Sequence, residues 1–205
     1  MLHLAATNIV FKMLESCLYI LFAYLIGSIP VGVILARIKG VDPRRVGSSN
    51  IGATNVARAA GKTVGILTLV GDIMKGLLPV VYVIHSGQPP SVIALSGMAV
   101  FLGHIFPLYL GFKGGKGVAT AVGVYLAIEP MAVFIALIVF IIVFIIWRYV
   151  SLSSLLAATS MPFIMLALNS EPQYIYLTCV VVILIIIKHR ENIKRLKNRT
   201  EQKFR

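Results

Sequence analysis

Three short stretches of this 205-residue chain hold residue types that bind phosphorylated molecules. The first stretch, residues 47–58, includes Gly47, Ser48, Asn50, Gly52, Thr54, Asn55 and Arg58. Glycine lets backbone N–H groups approach an anion, hydroxyl and amide groups donate hydrogen bonds, and arginine grips phosphate through two parallel donors. Capping of short helices would explain Ser48 and Asn50, but not the continuation through Arg58. We therefore expect an anion-binding loop here.

The second stretch reads Gly114-Gly115-Lys116-Gly117 and leads directly into a predicted helix. Free N–H groups at a helix N-terminus, the positive end of the helix dipole and a lysine together favour an anion. The glycine spacing differs from that of a Walker A motif, and no strand is predicted before it. The alternative is a glycine-rich hinge whose lysines reach the membrane interface. His104, upstream of this stretch, is expected to be a helix-packing or interfacial residue rather than a base.

The third group of polar residues combines residues 147–154 with residues 188–192. Ser151 and Ser154 are three positions apart, as are His189 and Asn192, so each pair shares a face if its segment is helical. Ser151 serves equally well as a helix cap, and Ser154 could bond back to its own helix. His189 is either a donor to a ligand or an interfacial residue, and the sequence leaves both roles open.

The composition requires a membrane around these polar stretches. Hydrophobic residues make up 59% of the chain and charged residues 13%, about half the proportion in soluble domains, and the mean hydropathy is +0.93. A soluble fold of this size cannot bury so much apolar surface. The net charge of +12 therefore indicates a surface that faces anionic membrane lipid, and not a nucleic-acid partner. Cys17 and Cys179 are too isolated to form a zinc site.

Hydropathy and charge together predict an all-α, polytopic integral membrane protein with seven transmembrane helices. The apolar segments are residues 14–36, 63–84, 91–110, a short fourth one at 118–128, and 131–147, 152–168 and 174–187. With the N-terminus outside and the C-terminus in the cytoplasm, 17 of the 19 basic residues lie inside, as the positive-inside rule requires. We expect one domain, residues 1–205, with an N-terminal extension at 1–12 and a basic, lipid-facing tail at 191–205. Asp72 and Lys75 should form an ion pair within the second segment.

The sequence lacks the residues that several kinds of catalytic mechanism require. The sequence has no G-x-S-x-G nucleophile elbow, and no histidine is followed five positions later by aspartate. The seven carboxylates are scattered, so we expect neither a metal site nor a cofactor. Two phosphate-suited loops on one side of the membrane suggest that the substrates themselves carry phosphate.

Residues 48–58, 103–107, 112–120, 148–154 and 189–192 together resemble the motifs of one family. This family is the bacterial acyl-phosphate-dependent glycerol-3-phosphate acyltransferases, which are seven-helix proteins of the cytoplasmic (inner) membrane. The resemblance implies transfer of a fatty acyl group from acyl phosphate to the 1-hydroxyl of glycerol 3-phosphate, in phospholipid biosynthesis. The implied partners are these two substrates and the enzyme that produces the acyl phosphate, and the basic charge of the chain adds anionic membrane lipid. A transporter of a phosphorylated solute and an anionic-lipid-binding scaffold are the alternatives.

The resemblance also implies a role for each motif residue. The residues implied to bind glycerol 3-phosphate are Ser48, Arg58, Lys116 and Asn192. Those implied to surround the acyl phosphate are Asn50, Gly52, Thr54, Asn55, Gly114, Gly115, Ser154 and His189. His189 and Asn192 are the implied catalytic residues, with Asn192 orienting the acceptor. The general base is either His189 or a phosphate oxygen of the substrate.

Overall fold

The structure is a computed structural model that describes residues 2–204, and the side chains from residue 10 onward. Within that range every regular element is helical, which confirms the predicted all-α class. The helices are α1 (Leu2–Gly27), α2 (Val31–Ile38), α3 (Ala53–Ala60), α4 (Lys62–His85), α5 (Pro90–Ile105), α6 (Val118–Ile128), α7 (Pro130–Trp147), α8 (Val150–Ala167), α9 (Pro172–Lys188) and α10 (Arg190–Lys197), with a 3-10 turn at Leu108–Leu110.

Proline and glycine set most of these boundaries. Pro90, Pro130 and Pro172 each occupy the first position of a helix, where the missing N–H costs nothing. The predicted first segment, residues 14–36, is divided in two because Pro30 stands immediately before α2. The two pieces, α1 and α2, are therefore separate helices within one long apolar stretch.

Five stretches are long and apolar enough to cross a membrane, and a bent pair of helices could add a sixth. The five are Val10–Ile38, Lys62–His85, Pro90–Leu110, Pro130–Trp147 and Val150–Ala167, and the pair is α9 with α10, bent by 58°. Helix α6 is shorter than a full crossing, as predicted. Large apolar side chains are exposed on these helices, including Ile145, Phe163 and Tyr176. The predicted count of seven crossings and the orientation of the termini stay predictions.

Helices α4 and α6 pack closely because glycine lies on both sides of their contact. A Cβ added to Gly76 would lie 2.2 Å from the Thr120 carbonyl oxygen, and one added to Gly123 would lie 2.0 Å from that of Ile73. Small residues allow membrane helices to approach in this way. Helix α1 packs on α5, and α7 on α8. The crossing of α4 and α6 fixes the start of α6, and with it the Gly-Gly-Lys-Gly loop.

The predicted ion pair within α4 is confirmed. Lys75 Nζ lies 3.0 Å from Asp72 Oδ1, and both side chains are buried. Lys75 also donates a hydrogen bond of 2.8 Å to the carbonyl of Ile29, in the break between α1 and α2. His104 is buried against the same carboxylate, with Nδ1 3.6 Å from Asp72 Oδ1, so it packs between helices as expected. These buried polar groups connect α4, α5 and the break after α1.

Candidate active site

The loop before α3 is shaped by Asn55. Its amide nitrogen lies within hydrogen-bonding distance of the carbonyls of Pro43, Val46 and Asn50, at 2.8, 3.1 and 2.8 Å. Its Oδ1 accepts a bond of 2.9 Å from the Ser48 backbone N–H. This buried side chain therefore holds four points of the loop together. Its polar atoms bond to the loop itself, so any effect of Asn55 on a ligand is exerted through the conformation of the loop.

The rest of this loop leads into α3 and presents Arg58. Asn50 Oδ1 accepts a bond of 2.8 Å from the Gly52 N–H, and Gly52 is the residue before the helix. Thr54 lies in the first turn of α3 and is half-buried, whereas the Ser48 side chain is exposed. Arg58 lies in the last turn of α3, and its guanidinium reaches the C-terminal residues.

The second loop packs against His104, which leaves no room for a side chain at Gly114 or Gly115. A Cβ on Gly114 would lie 2.1 Å from the His104 carbonyl oxygen, and one on Gly115 would lie 2.2 Å from His104 Nε2. The Gly115 N–H donates to that same carbonyl at 3.2 Å. Gly117 adopts a left-handed backbone, with φ of 84°, directly before α6. The predicted turn into a helix is therefore present, and Lys116 projects from it.

Lys116 reaches the other end of the sequence. Its Nζ donates a hydrogen bond to Asn192 Oδ1, and the Asn192 Nδ2 donates one of 2.6 Å to Glu201 Oε1. Burial lowers the pKa of Lys116 to about 8; Glu201 opposes this shift, whereas Arg195 and Arg58 add to it. The sequence motifs of residues 48–58, 112–120 and 189–192 thus meet around this lysine.

His189 lies between α9 and α10 and is buried. Its Nδ1 is 2.8 Å from the Ile185 carbonyl oxygen. Since a carbonyl only accepts hydrogen bonds, Nδ1 carries the proton, and in the neutral ring Nε2 then has a free lone pair. This is the tautomer that a general base requires. His189 is the residue at the bend between the two helices, Asn192 lies in the first turn of α10, and both side chains are buried.

Helix α8 contributes Ser151 to this group. Ser151 does not cap the helix, because the residue before the helix is Tyr149 and the Ser151 hydroxyl instead donates a bond of 2.6 Å to Glu201 Oε1. Ser154 is buried one turn further into α8. It shares the predicted helix face with Ser151.

A cavity of about 940 Å³ opens beside these residues. It is lined by Ala57, Arg58, Lys62, Arg148, Tyr149, Glu201, Gln202, Lys203 and Phe204. Four of these side chains are cationic and one is anionic, so the cavity favours a negatively charged ligand. Among the residues that the structure describes, no group of three or more His, Cys, Asp or Glu side chains could hold a metal ion.

Sequence reasoning missed the part played by residues 199–204. The basic tail was expected to face lipid, yet Glu201 and Gln202 line the cavity, and Arg58 donates a bond of 3.3 Å to the Gln202 carbonyl. The available signal was Glu201 itself, one carboxylate within a run of basic residues. Its packing against Ser151, 50 positions earlier, has no local sequence signature.

Comparison with known proteins identifies the family. A family model described as glycerol-3-phosphate acyltransferase matches residues 17–199. The chain belongs to the glycerol-3-phosphate acyltransferase family. Relatives of that name from Geobacter metallireducens and Geobacter sulfurreducens are 52% and 49% identical over 193 residues, which is 94% of this chain and all of each relative. The relative from Aquifex aeolicus is 42% identical over 93% of this chain and all of its own length.

Solved structures give the same result at the level of the fold. The chain is similar to PlsY (YgiH), an integral membrane glycerol 3-phosphate acyltransferase, in its glycerol 3-phosphate form, with a TM-score of 0.90 and 42% identity. The lysophosphatidic acid form of that protein gives 0.88 and 41%. Each match covers 93% of this chain and 96% of the other. With its long apolar helices, this member of the family is likewise an integral membrane protein.

Proposed function

We propose that this protein transfers a fatty acyl group from acyl phosphate to the 1-hydroxyl of glycerol 3-phosphate. The products are 1-acylglycerol 3-phosphate (lysophosphatidic acid) and inorganic phosphate, an early step of phospholipid biosynthesis. The observation that carries the proposal is the convergence of Arg58, Lys116, His189 and Asn192 beside a cationic cavity at the end of an apolar helix bundle. Membership of the glycerol-3-phosphate acyltransferase family supports the acceptor.

The reaction balances without a covalent enzyme intermediate. The acceptor hydroxyl oxygen forms a bond to the acyl carbon, the bond from that carbon to the phosphate oxygen breaks, and the hydroxyl proton passes to a base. Acyl phosphate is a mixed anhydride whose phosphate leaves readily, so neither an enzyme nucleophile nor a metal is needed. Holding two anionic substrates in register can lower the barrier by about 7–11 kcal/mol, which is the main task of the site.

Each substrate phosphate has a proposed set of ligands. Ser48, Arg58 and Lys116 bind the phosphate of glycerol 3-phosphate, and Asn192 orients the acceptor. Lysine and arginine suit this role because charge-assisted bonds to phosphate are the strongest available to side chains.

The acyl phosphate lies against the two loops. Its proposed neighbours are Asn50, Gly52, Thr54, Asn55, Gly114, Gly115, Ser154 and His189. Asn55 acts here by fixing the loop, since its polar atoms bond to loop backbone. Backbone N–H groups and side-chain donors would stabilise the oxyanion that develops on the acyl oxygen.

His189 is the proposed general base. With Nδ1 hydrogen-bonded to the Ile185 carbonyl, the lone pair on Nε2 can accept the acceptor proton. A phosphate oxygen of the substrate is the competing base, and it would leave His189 as a ligand donor. The two mechanisms differ in how strongly turnover at saturating substrate depends on His189.

We further propose a single domain in the bacterial inner membrane, with seven crossings, the N-terminus outside and the site facing the cytoplasm. The distribution of basic residues supports this orientation. Anionic lipid and the enzyme that supplies acyl phosphate are the proposed partners. The acyl chain would lie along apolar helix surface at the edge of the bilayer.

The test is release of inorganic phosphate by the purified protein in lipid vesicles, supplied with palmitoyl phosphate, with and without glycerol 3-phosphate. We expect release that requires the acceptor and matches the lysophosphatidic acid formed. Arg58→Met should lower kcat/KM at least about tenfold, a loss of roughly 1.4 kcal/mol. Arg45→Met is the matched control, because Arg45 is an exposed arginine outside the cavity. Folded protein without acceptor-dependent release would refute the proposed reaction.

A further inference from the structure

The chain after α10 forms an ordered strap, residues 199–204. Its first turn is held by the Thr200 N–H, which donates a bond of 2.9 Å to the Arg195 carbonyl. At its far end the Phe204 N–H donates one of 2.9 Å to the Arg148 carbonyl, and the Phe204 ring packs on Phe144 with centroids 6.3 Å apart. The strap therefore runs from α10 to the junction of α7 and α8, and it forms one wall of the cavity.

The strap places one carboxylate among the polar groups of the site. Glu201 Oε1 accepts bonds of 2.6 Å from the Ser151 hydroxyl and from Asn192 Nδ2, and Oε2 accepts one of 2.7 Å from Arg195 Nε. The Glu201 side chain is only 9% exposed. Although burial raises the pKa of Glu201, the hydrogen bonds from these three partners outweigh burial and lower it, so the group is ionised near neutral pH.

The carboxylate determines how the Asn192 amide is turned. An ionised carboxylate only accepts hydrogen bonds, so the amide nitrogen must face Glu201. The amide oxygen then faces the opposite way, and it accepts the bond from Lys116 Nζ. A chain of contacts thus runs from Glu201 through Asn192 to the lysine proposed to bind phosphate.

We propose that Glu201 is a positioning residue of the site: its carboxylate fixes the Asn192 amide, and through it holds the Lys116 ammonium where the acceptor phosphate binds. This rests on the proposed function, since it assumes that Lys116 and Asn192 bind glycerol 3-phosphate. The strap, which extends beyond the matched residues 17–199, is thereby part of the site.

The geometry favours this role over one in which Glu201 occupies the phosphate position itself. The partners of the carboxylate are Ser151, Asn192 and Arg195. Arg58 instead contacts the strap through the Gln202 carbonyl, and Lys116 through Asn192. The carboxylate therefore lies beside the proposed phosphate ligands and leaves Lys116 with donors to spare.

The charges around Lys116 give the proposal a second consequence. Arg58 and Arg195 face Lys116 and lower its pKa, whereas Glu201 faces it and raises its pKa. The charge of Lys116 in turn lowers the pKa of the nearby His189. Neutralising Glu201 should therefore lower the pKa of Lys116 further. The decrease of kcat/KM at alkaline pH should then begin at a lower pH than in wild type.

The test compares Glu201→Ala, Glu201→Gln and wild type as full-length protein in lipid vesicles, by acceptor-dependent phosphate release from pH 6.5 to 9.5. Glu201→Ala should raise KM for glycerol 3-phosphate at least about tenfold with a smaller change in kcat. Both variants should move the alkaline fall of kcat/KM to lower pH by about half a unit or more. Glu201→Gln, which keeps an acceptor oxygen, should recover part of the KM. Glu191→Gln is the control, because that carboxylate is 68% exposed on α10 and should change neither quantity.

The opposite results are equally informative. A lower KM in Glu201→Ala would mean that the carboxylate competes with the phosphate, and an unchanged KM with an unchanged pH profile would mean that it has no role; either overturns the proposal. Thermal unfolding identifies a variant that fails to fold, and Glu201→Gln then carries the test. If wild type gives no acceptor-dependent release, the proposed reaction fails by itself. In that case, calorimetry compares the binding of glycerol 3-phosphate to wild type and to the Glu201 variants. If wild type does not bind glycerol 3-phosphate, the proposed role of Glu201 is overturned as well.

Discussion

Replacing Lys116 by methionine tests the centre of the site most directly. The substitution keeps an unbranched apolar side chain, one atom shorter, but removes the charge and the hydrogen bond to Asn192 Oδ1. A phosphate bound there would lose a charge-assisted bond in a partly desolvated setting, which costs about 2–5 kcal/mol. Since about 1.36 kcal/mol corresponds to tenfold in rate, kcat/KM for glycerol 3-phosphate should fall by about 30- to 5,000-fold.

The pH profile provides a second measure of the same residue. With a pKa of about 8, Lys116 is charged below that pH and loses its proton above it. The kcat/KM reports ionisation of the free enzyme, so in wild type it should fall about tenfold per pH unit above roughly pH 8. In Lys116→Met this fall should disappear from the residual activity. The stability consequence has a definite sign: because the folded pKa is below the unfolded one, the contribution of Lys116 to folding stability rises with pH between about 8 and 10.5.

The assay is phosphate release as a function of glycerol 3-phosphate concentration, with acyl phosphate saturating. The matched control is Lys113→Met, because Lys113 is an exposed lysine on the same loop, three residues earlier. We expect it to change kcat/KM less than about threefold, as is usual for exposed substitutions. Lys116→Met with a kcat/KM within threefold of wild type, and an unaltered pH profile, would refute the assignment of Lys116 to the phosphate.

Three further substitutions test the base and the framework of the site. His189→Ala should lower kcat at saturating substrates by about 10²–10⁴-fold, the usual contribution of a general base, and thermal unfolding should show that the variant is still folded. Gly114→Ala should destabilise the protein by about 1–3 kcal/mol in a thermal unfolding assay, because the added methyl group meets the His104 carbonyl at 2.1 Å. Asp72→Asn should cost about 3–5 kcal/mol, measured the same way, because Lys75 would be left buried without its counter-charge.

Each of these has its own control. Turnover of His189→Ala within a few-fold of wild type would discard the histidine base in favour of a substrate phosphate oxygen; His85→Ala, at an exposed histidine, should be neutral. Gly40→Ala also adds a methyl group, but no atom lies within 4 Å of it, so the only source of strain is the positive φ of this residue. Gly40→Ala should therefore destabilise the protein less than Gly114→Ala does. The double variant Asp72→Asn/Lys75→Met should be more stable than Asp72→Asn alone, and a less stable double variant would contradict the ion-pair argument.

The sequence predicted the helical class and most helix positions because both depend on local properties. Apolar length defines membrane segments, and proline and glycine interrupt them, so the extent of α6 was predicted correctly and the starts of α7 and α9 to within two residues. The break before α2 was missed, because hydropathy continues across Pro30 and gives no sign that one helix ends and another begins.

The candidate site was predicted as a set of motifs, and the structure decided how the motifs meet. The types and spacing in residues 47–58 and 111–120 indicated phosphate chemistry without any fold, since glycine, amide and cationic side chains bind anions in many settings. The contact between Lys116 and Asn192 joins residues 76 positions apart. It exists because α6 is anchored on α4 and the chain bends after α9.

The roles of individual side chains could be assigned only from the tertiary structure, because it shows which groups each side chain contacts. Asn55 looked like a ligand residue, but burial among loop carbonyls makes its polar atoms part of the loop. Glu201 was one of seven scattered carboxylates in the sequence, yet it lies against Ser151 and Asn192. Residue type and spacing report the chemistry that a segment can perform. Which donor faces which acceptor depends on long-range packing, and this packing leaves no periodic mark on the sequence.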